Sequence, residues 1–159
     1  MLNIQTILHP TDYSERSDYA FRIACSLARD YRAKLVLLHV ALRSVTIEGE
    51  AAIAPRSEEY FQGELDKLES VSVPAGIRVE RFVREGDPAG EILRAAQFTN
   101  ADLIVMGTHG RTGLSRLLMG SVAEQVLRKA PCPVLTVRTP ALQGEPADEL
   151  VSQQATVDS

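Results

Sequence analysis

The run Asp102-Leu103-Ile104-Val105-Met106-Gly107-Thr108-His109-Gly110 passes from a short apolar segment into glycine-rich sequence, and after nine further residues Gly120-Ser121-Val122 opens a new amphipathic stretch. Residues 102–106 have the length and composition of a buried strand. Gly107 and Gly110 carry no Cβ to keep a ligand off the backbone, and they permit the positive φ values that let successive N–H groups converge on an anion. Gly120-Ser121 stands at a helix start, where unpaired amides and the helix dipole favour phosphate and the Ser121 hydroxyl adds a donor. Arg111 and Arg116 supply complementary charge. An isolated glycine pair after a strand would mark only a tight turn; strand, glycine loop and helix start together mark an anion-binding edge. No G-K-[ST] follows the glycines, so this is not a Walker loop, and a dinucleotide fingerprint would place them after the first strand.

Outward from this stretch the chain alternates. Residues 4–8, 34–40, 77–83 and 133–138 are further strand-length aliphatic runs, making five strands with 102–106. Ala20, Ile23, Ala24, Leu27, Ala28 and Tyr31 recur at helical spacing behind a Ser14 cap. Phe61, Leu65 and Leu68 mark a second helix, Asp87-Pro88 opens a third containing Ile92, Leu93 and Ala96, and Val122, Val126 and Leu127 mark a fourth. Alternating strands and helices with continuous apolar strands predict an open α/β parallel sheet covered on both faces. Ligands in such sheets sit at the carboxyl ends of the strands beside the switch point, here after the first and fourth strands.

The bulk composition agrees. At 159 residues, 45% hydrophobic and 24% charged, the chain suits one soluble domain. Its 21 acids exceed its 17 bases only through the four acids of residues 140–159, a segment without Lys or Arg. The rest is balanced, which disfavours nucleic acid as a partner. The N-terminus lacks the pattern of a signal peptide and no apolar run approaches a membrane span, so a cytoplasmic protein without a membrane partner is expected. Cys25 and Cys132 form no C-x-x-C and read as structural thiols. Residues 140–159 read as a loosely ordered acidic tail beyond a domain spanning 1–139.

Gly107, Gly110, Gly120 and Ser121 match G-x2-G-x9-G-[ST] at full spacing, and in this the chain resembles the ATP-binding branch of the universal stress protein family. The resemblance takes in Pro10-Thr11-Asp12, Leu38-His39-Val40, Asp102–Met106 and the closing Pro131-Cys132-Pro133-Val134-Leu135, and covers roughly residues 2–138. It implies a five-stranded Rossmann-like sheet of the adenine nucleotide alpha hydrolase-like kind, in strand order 3-2-1-4-5. It further implies that Thr11, Asp12 and Val40 hold adenine and ribose, with Asp12 receiving ribose hydroxyls and Val40 offering backbone bonds to the base. The phosphates of ATP, with a bridging Mg2+, would lie over Gly110, Gly120 and Ser121. Pro10, Ala41, Met106, Arg111 and Val122 are lining candidates by position. Asp12 has a rival role as a helix-capping residue alongside Ser14. The resemblance also implies a homodimer through the last strand, residues 133–138, whose unpaired edge invites a partner, and a nucleotide-responsive role in stress acting on an unidentified regulated protein.

An enzyme centre is not expected. His9, His39 and His109 fall at or near strand ends, but their spacing matches no zinc signature; His39 reads as core-facing and His109 as orienting the loop. There is no G-x-S-x-G elbow, and the first strand is not followed by the serine and glycine-rich loop of ATP pyrophosphatases. Slow ATP hydrolysis and a nucleotide-free interaction module of the same fold stand as alternatives.

Overall fold

The computed structural model describes residues 2–42, 56–108 and 119–140. Its elements are β1 (Thr6–Thr11), α1 (Glu15–Tyr31), β2 (Lys34–Ala41), α2 (Glu58–Ser70), β3 (Val79–Glu85), α3 (Pro88–Phe98), β4 (Leu103–Gly107), α4 (Ser121–Lys129) and β5 (Val134–Val137). All strand pairs are parallel, in the order β3-β2-β1-β4-β5.

Local chemistry starts and stops the helices. Ser14 caps α1 by accepting from the Ser17 amide at 3.2 Å, and Arg32, at φ 54°, closes it with a left-handed residue that donates to the last carbonyls. Asp87 caps α3 by accepting from the Gly90 amide at 2.8 Å, with Pro88 at the first helical position. Ser57 caps α2 in the same way through the Tyr60 amide. Gly120 caps α4 without any side-chain hydrogen bond.

Because alternate strand residues face opposite sides, the core divides in two. Ile7, Leu35, Leu37 and Val105 pack under α1 and α2 with Ala24, Ala28 and Leu68. Leu8, Val36, Leu38, Ile104 and Met106 pack under α3 and α4 with Ile92, Ala96, Ala123 and Val126. Connections leaving β1 and β4 therefore depart to opposite faces, which makes the gap between these strands the switch point.

The register shows why that gap opens. β1 pairs with β2 along its full length, to Thr11↔His39, but with β4 only at Ile7↔Leu103 and Leu8↔Ile104. The alternation of a parallel ladder points the backbone of residue 10 at β4, where its N–H should meet the Val105 carbonyl. Residue 10 is proline and has no N–H. The ladder ends there, and the ring of the preceding residue substitutes: His9 Nδ1 donates to the Val105 carbonyl at 2.8 Å. β1 can still run one residue past the proline on its other side, so it ends at Thr11 rather than at residue 8 as its apolar run suggests.

Three other expectations shift. β3 begins two residues later than its apolar run. On α2 the buried positions are Glu64 and Leu68, while Phe61 and Leu65 are half-buried. Tyr31 and Leu127, read as stripe residues, are each 41% exposed at the last turns of α1 and α4. Cys25 and Cys132 are free thiols, and burial pushes Cys25 up to about 11, in keeping with an inert packing role. No helix among the described residues is long and apolar enough to cross a membrane. Residues 43–55 lie outside the described residues, as does the expected tail of residues 140–159 beyond Pro140.

Candidate functional site

A cleft of about 610 Å³ lies over the carboxyl ends of β1, β2 and β4 and against the start of α4. It sits where the missing Pro10 N–H parts β1 from β4. Pro10, Thr11 and Asp12 form its first wall, and Val40 and Ala41 contribute from β2. Met106 and Gly107 contribute from β4, and Gly120, Ser121 and Val122 close the far side. Ten of the thirteen residues singled out for a ligand thus share one cavity; the other three, Gly110, Arg111 and Arg116, lie outside the described residues, as does His109.

On the α4 side, Gly120 donates to the Thr108 carbonyl at 2.7 Å and Thr108 donates to the Val137 carbonyl at 3.2 Å. These bonds fasten both ends of the glycine-rich segment to the sheet. Since Gly120 offers no capping side chain, the first-turn amides of α4 border the cleft without a side-chain acceptor from that residue. The arrangement suits an anion.

On the β1 side, Asp12 Oδ1 accepts from the Ser14 amide at 2.9 Å and from the Ser14 hydroxyl at 2.5 Å. The capping role belongs to Ser14, and Asp12 braces it while lining the cleft. Between them Tyr13 adopts φ 62°, a left-handed backbone unusual for a side chain of this size. Its amide donates to Thr11 Oγ1 at 3.1 Å, which stabilises the turn.

His9 is fully buried, with its ring 5.7 Å from that of Phe21. Burial lowers its pKa to about 4, against smaller upward effects of the Val105 bond and the Asp12 and Asp18 charges. It is therefore neutral, with Nδ1 protonated, and Nε2 has no hydrogen-bond partner among the described residues.

His39 corrects the expectation of a core-facing residue. It lines the cleft, with Nδ1 3.0 Å from the Thr11 carbonyl and Nε2 3.1 Å from Glu64 Oε2. Lys67 donates to Glu64 Oε1 at 2.6 Å. That bond holds the Glu64 carboxyl below its ordinary range despite its burial, aided by the charges of Lys67, His39 and Arg56. Tyr13, Arg56, Tyr60 and Glu64 complete this side of the cleft and were not legible as site residues. The available signal was Glu64 itself, a carboxylate one turn before Leu68 on a face that otherwise reads as apolar. Among the described residues, no three His, Cys, Asp or Glu side chains gather closely enough to hold a metal ion.

The parallel order β3-β2-β1-β4-β5, the cleft at its switch point and an uncapped helix start beside it define a Rossmann-like α/β fold with a ligand-sized crevice. The model of the universal stress protein family matches residues 3–138. A universal stress protein of Methanocaldococcus jannaschii is 39% identical over 139 residues, covering 84% of this chain and 82% of that protein. The crystal structure of a universal stress protein family member from Burkholderia pseudomallei superposes with a TM-score of 0.62 at 30% identity, covering 86% of this chain and 98% of the other. A universal stress protein crystallised in complex with cAMP superposes with a TM-score of 0.60 at 25% identity, covering 87% of this chain and all of the other. The chain belongs to the universal stress protein family.

Proposed function

We propose that this protein binds ATP in the switch-point cleft and works as a nucleotide-responsive dimeric regulator in the cytoplasm, built from a domain over residues 1–139 and an acidic tail. One observation carries the reading: the Asp12 carboxylate and the uncapped start of α4 line opposite sides of a single crevice, which Pro10 keeps from zipping shut. A carboxylate is an acceptor for ribose hydroxyls and a helix start is a receiver of phosphate. Val40, next to the last residue of β2, lines the same cleft and is suited to a backbone bond with a base. The relative crystallised with cAMP supports an adenine nucleotide as the ligand class. Gly107, Gly120 and Ser121, together with Gly110 and Arg111 of the same motif, are the proposed phosphate contacts. Mg2+ would be held mainly by the phosphates and water.

Neither described imidazole is placed as a general base toward phosphate: His9 is fully buried and His39 is committed to Thr11 and Glu64. The output is therefore a change of shape or partner affinity, with hydrolysis slow at most. Differential scanning fluorimetry with ATP and Mg2+ tests the reading. The wild type should melt at higher temperature with saturating nucleotide, and Gly120→Asp, which sets a carboxylate where phosphate should lie, should lose the shift. Equal shifts in both proteins would remove phosphate from the α4 start.

A further inference from the structure

Beyond Val40 and Ala41 the cleft runs on to three residues with no assigned part: Leu42 just past β2, Arg56 before α2, and Tyr60 in the first turn of α2. Leu42 lines the cleft and is 61% exposed. Arg56 reaches back to it, with Nε and Nη2 donating to the Leu42 carbonyl at 3.1 and 2.5 Å. The face of the guanidinium rests on the Tyr60 ring, 4.0 Å from its centroid. A planar fork held on one edge by a carbonyl and on one face by an aromatic ring is fixed in both respects.

The direction of the β2 backbone decides what this clasp does. The Lys34 amide donates to the Gln5 carbonyl on the β1 side and the Leu35 amide to the Arg78 carbonyl on the β3 side. Even-numbered residues of β2 therefore turn their backbone groups to β1, and odd-numbered ones to β3. The bond from the Gly86 amide to the Ala41 carbonyl shows the alternation kept to the end of the strand. Val40 accordingly sets its amide against the Thr11 carbonyl, where the β1 ladder ends, and its own carbonyl lies one step further along. Leu42, two residues on, presents its backbone to the same side, and the bond from cleft-lining Arg56 places its carbonyl at the cleft. The Leu42 amide has no backbone partner among the described residues.

Three backbone groups thus stand in line at the end of β2: the Val40 carbonyl, the Leu42 amide and the Leu42 carbonyl. The first two, an acceptor and then a donor, complement adenine, whose amino group donates beside a ring nitrogen that accepts. Guanine carries the reverse order, an oxo acceptor beside a ring N–H. Aligned as adenine would be, it sets oxygen against the Val40 carbonyl and N–H against the Leu42 amide. Shifted by one place, it would pair its oxo group with the Leu42 amide and its ring N–H with the Leu42 carbonyl. Arg56 already holds that carbonyl with two N–H groups, one for each of its lone pairs.

We infer that Arg56 is a specificity-determining residue: by occupying the Leu42 carbonyl it denies an oxopurine its acceptor and leaves the cleft selective for an aminopurine. The inference rests on the reading of the cleft as a nucleotide site and supplies a reason for its base. Selectivity arises here by leaving the wrong base with an unpaired donor, with no contact from Arg56 to the right one. One unpaired donor of this kind weakens binding about tenfold.

Calorimetric titration of ATP, GTP and inosine triphosphate, each with Mg2+, into wild type, Arg56→Ala and Arg56→Lys tests this, once circular dichroism has shown each variant to be folded. Wild type should bind ATP at least about tenfold more tightly than GTP. Arg56→Ala should narrow that ratio by about tenfold, chiefly through tighter GTP. Inosine triphosphate, which has the oxo group and ring N–H without guanine's amino group, should follow GTP. Arg56→Lys still offers donors to the carbonyl and should keep most of the wild-type ratio. A residue that only steadied β2 or α2 would change all three affinities in step. The same ATP-to-GTP ratio in wild type and Arg56→Ala would therefore overturn the inference while the nucleotide reading stands, as would a wild type without preference. A wild type that binds none of the three would overturn the nucleotide reading itself, and the inference with it.

Discussion

A single missing proton at Pro10 separates two strands and makes room for a ligand, and the imidazole of His9 limits the damage by serving the Val105 carbonyl. Removing the ring should expose that cost. His9→Leu leaves the buried carbonyl without its donor and should lower unfolding free energy by about 2 kcal/mol in urea denaturation. The same residue sets a pH dependence. In the unfolded chain it takes a proton near 6.5, but in the fold only near 4, because burial disfavours the charge. The unfolded state therefore binds more protons between these values, so this contribution is complete above 6.5 and is lost as pH falls toward 4. Its full size is on the order of 3 kcal/mol. The difference in stability between wild type and His9→Leu should accordingly shrink in acid; a constant difference would contradict a neutral buried ring. None of this is legible beforehand. Pro10 is visible in the sequence, but the neighbour its missing N–H faces depends on the register of two strands at once.

At the scale of elements, the reading succeeds where one element decides its own form. Ser14, Asp87 and Pro88 mark helix starts by local chemistry, and the Ala20, Ala24 and Ala28 face of α1 packs as its spacing predicts. The helix marked by Phe61, Leu65 and Leu68 forms, but its inner face is not only core: Glu64 occupies a buried position facing His39, and Phe61 and Leu65 stay half-buried. The Ser14 cap joins element to site, since its amide and hydroxyl are the donors that brace Asp12. Ser14→Ala should cost about 1 kcal/mol of stability by urea melt. ATP affinity should also fall, measured by titration under conditions where the variant is fully folded. Unchanged affinity would mean that the Asp12 carboxylate is held without Ser14.

At the scale of the molecule, the parallel sheet and its switch point follow from alternating β and α segments, the strand order from the family resemblance, and the glycine motif locates the crevice. What escapes is the α2 side of the cleft, because Tyr13, His39 and Glu64 come together from three separate elements. The β5 edge bears on assembly. Residues 133, 135 and 137 turn their backbone groups to β4, as the bonds into the Pro133 and Val137 carbonyls show, so the amides of Val134 and Thr136 point outward beside the 39% exposed Leu135. Thr136→Pro removes an outward donor and no β4 bond; sedimentation should show dimers giving way to monomers at unchanged melting temperature. An unaltered mass would move the interface elsewhere. The central claim is that ATP spans Asp12 and the α4 start, and calorimetric titration of ATP with Mg2+ into nucleotide-free protein tests it most directly. Saturable binding of one nucleotide per chain, weakened about tenfold or more in folded Gly120→Asp by repulsion at the helix start, is the predicted result. Absence of binding to the wild type would contradict it.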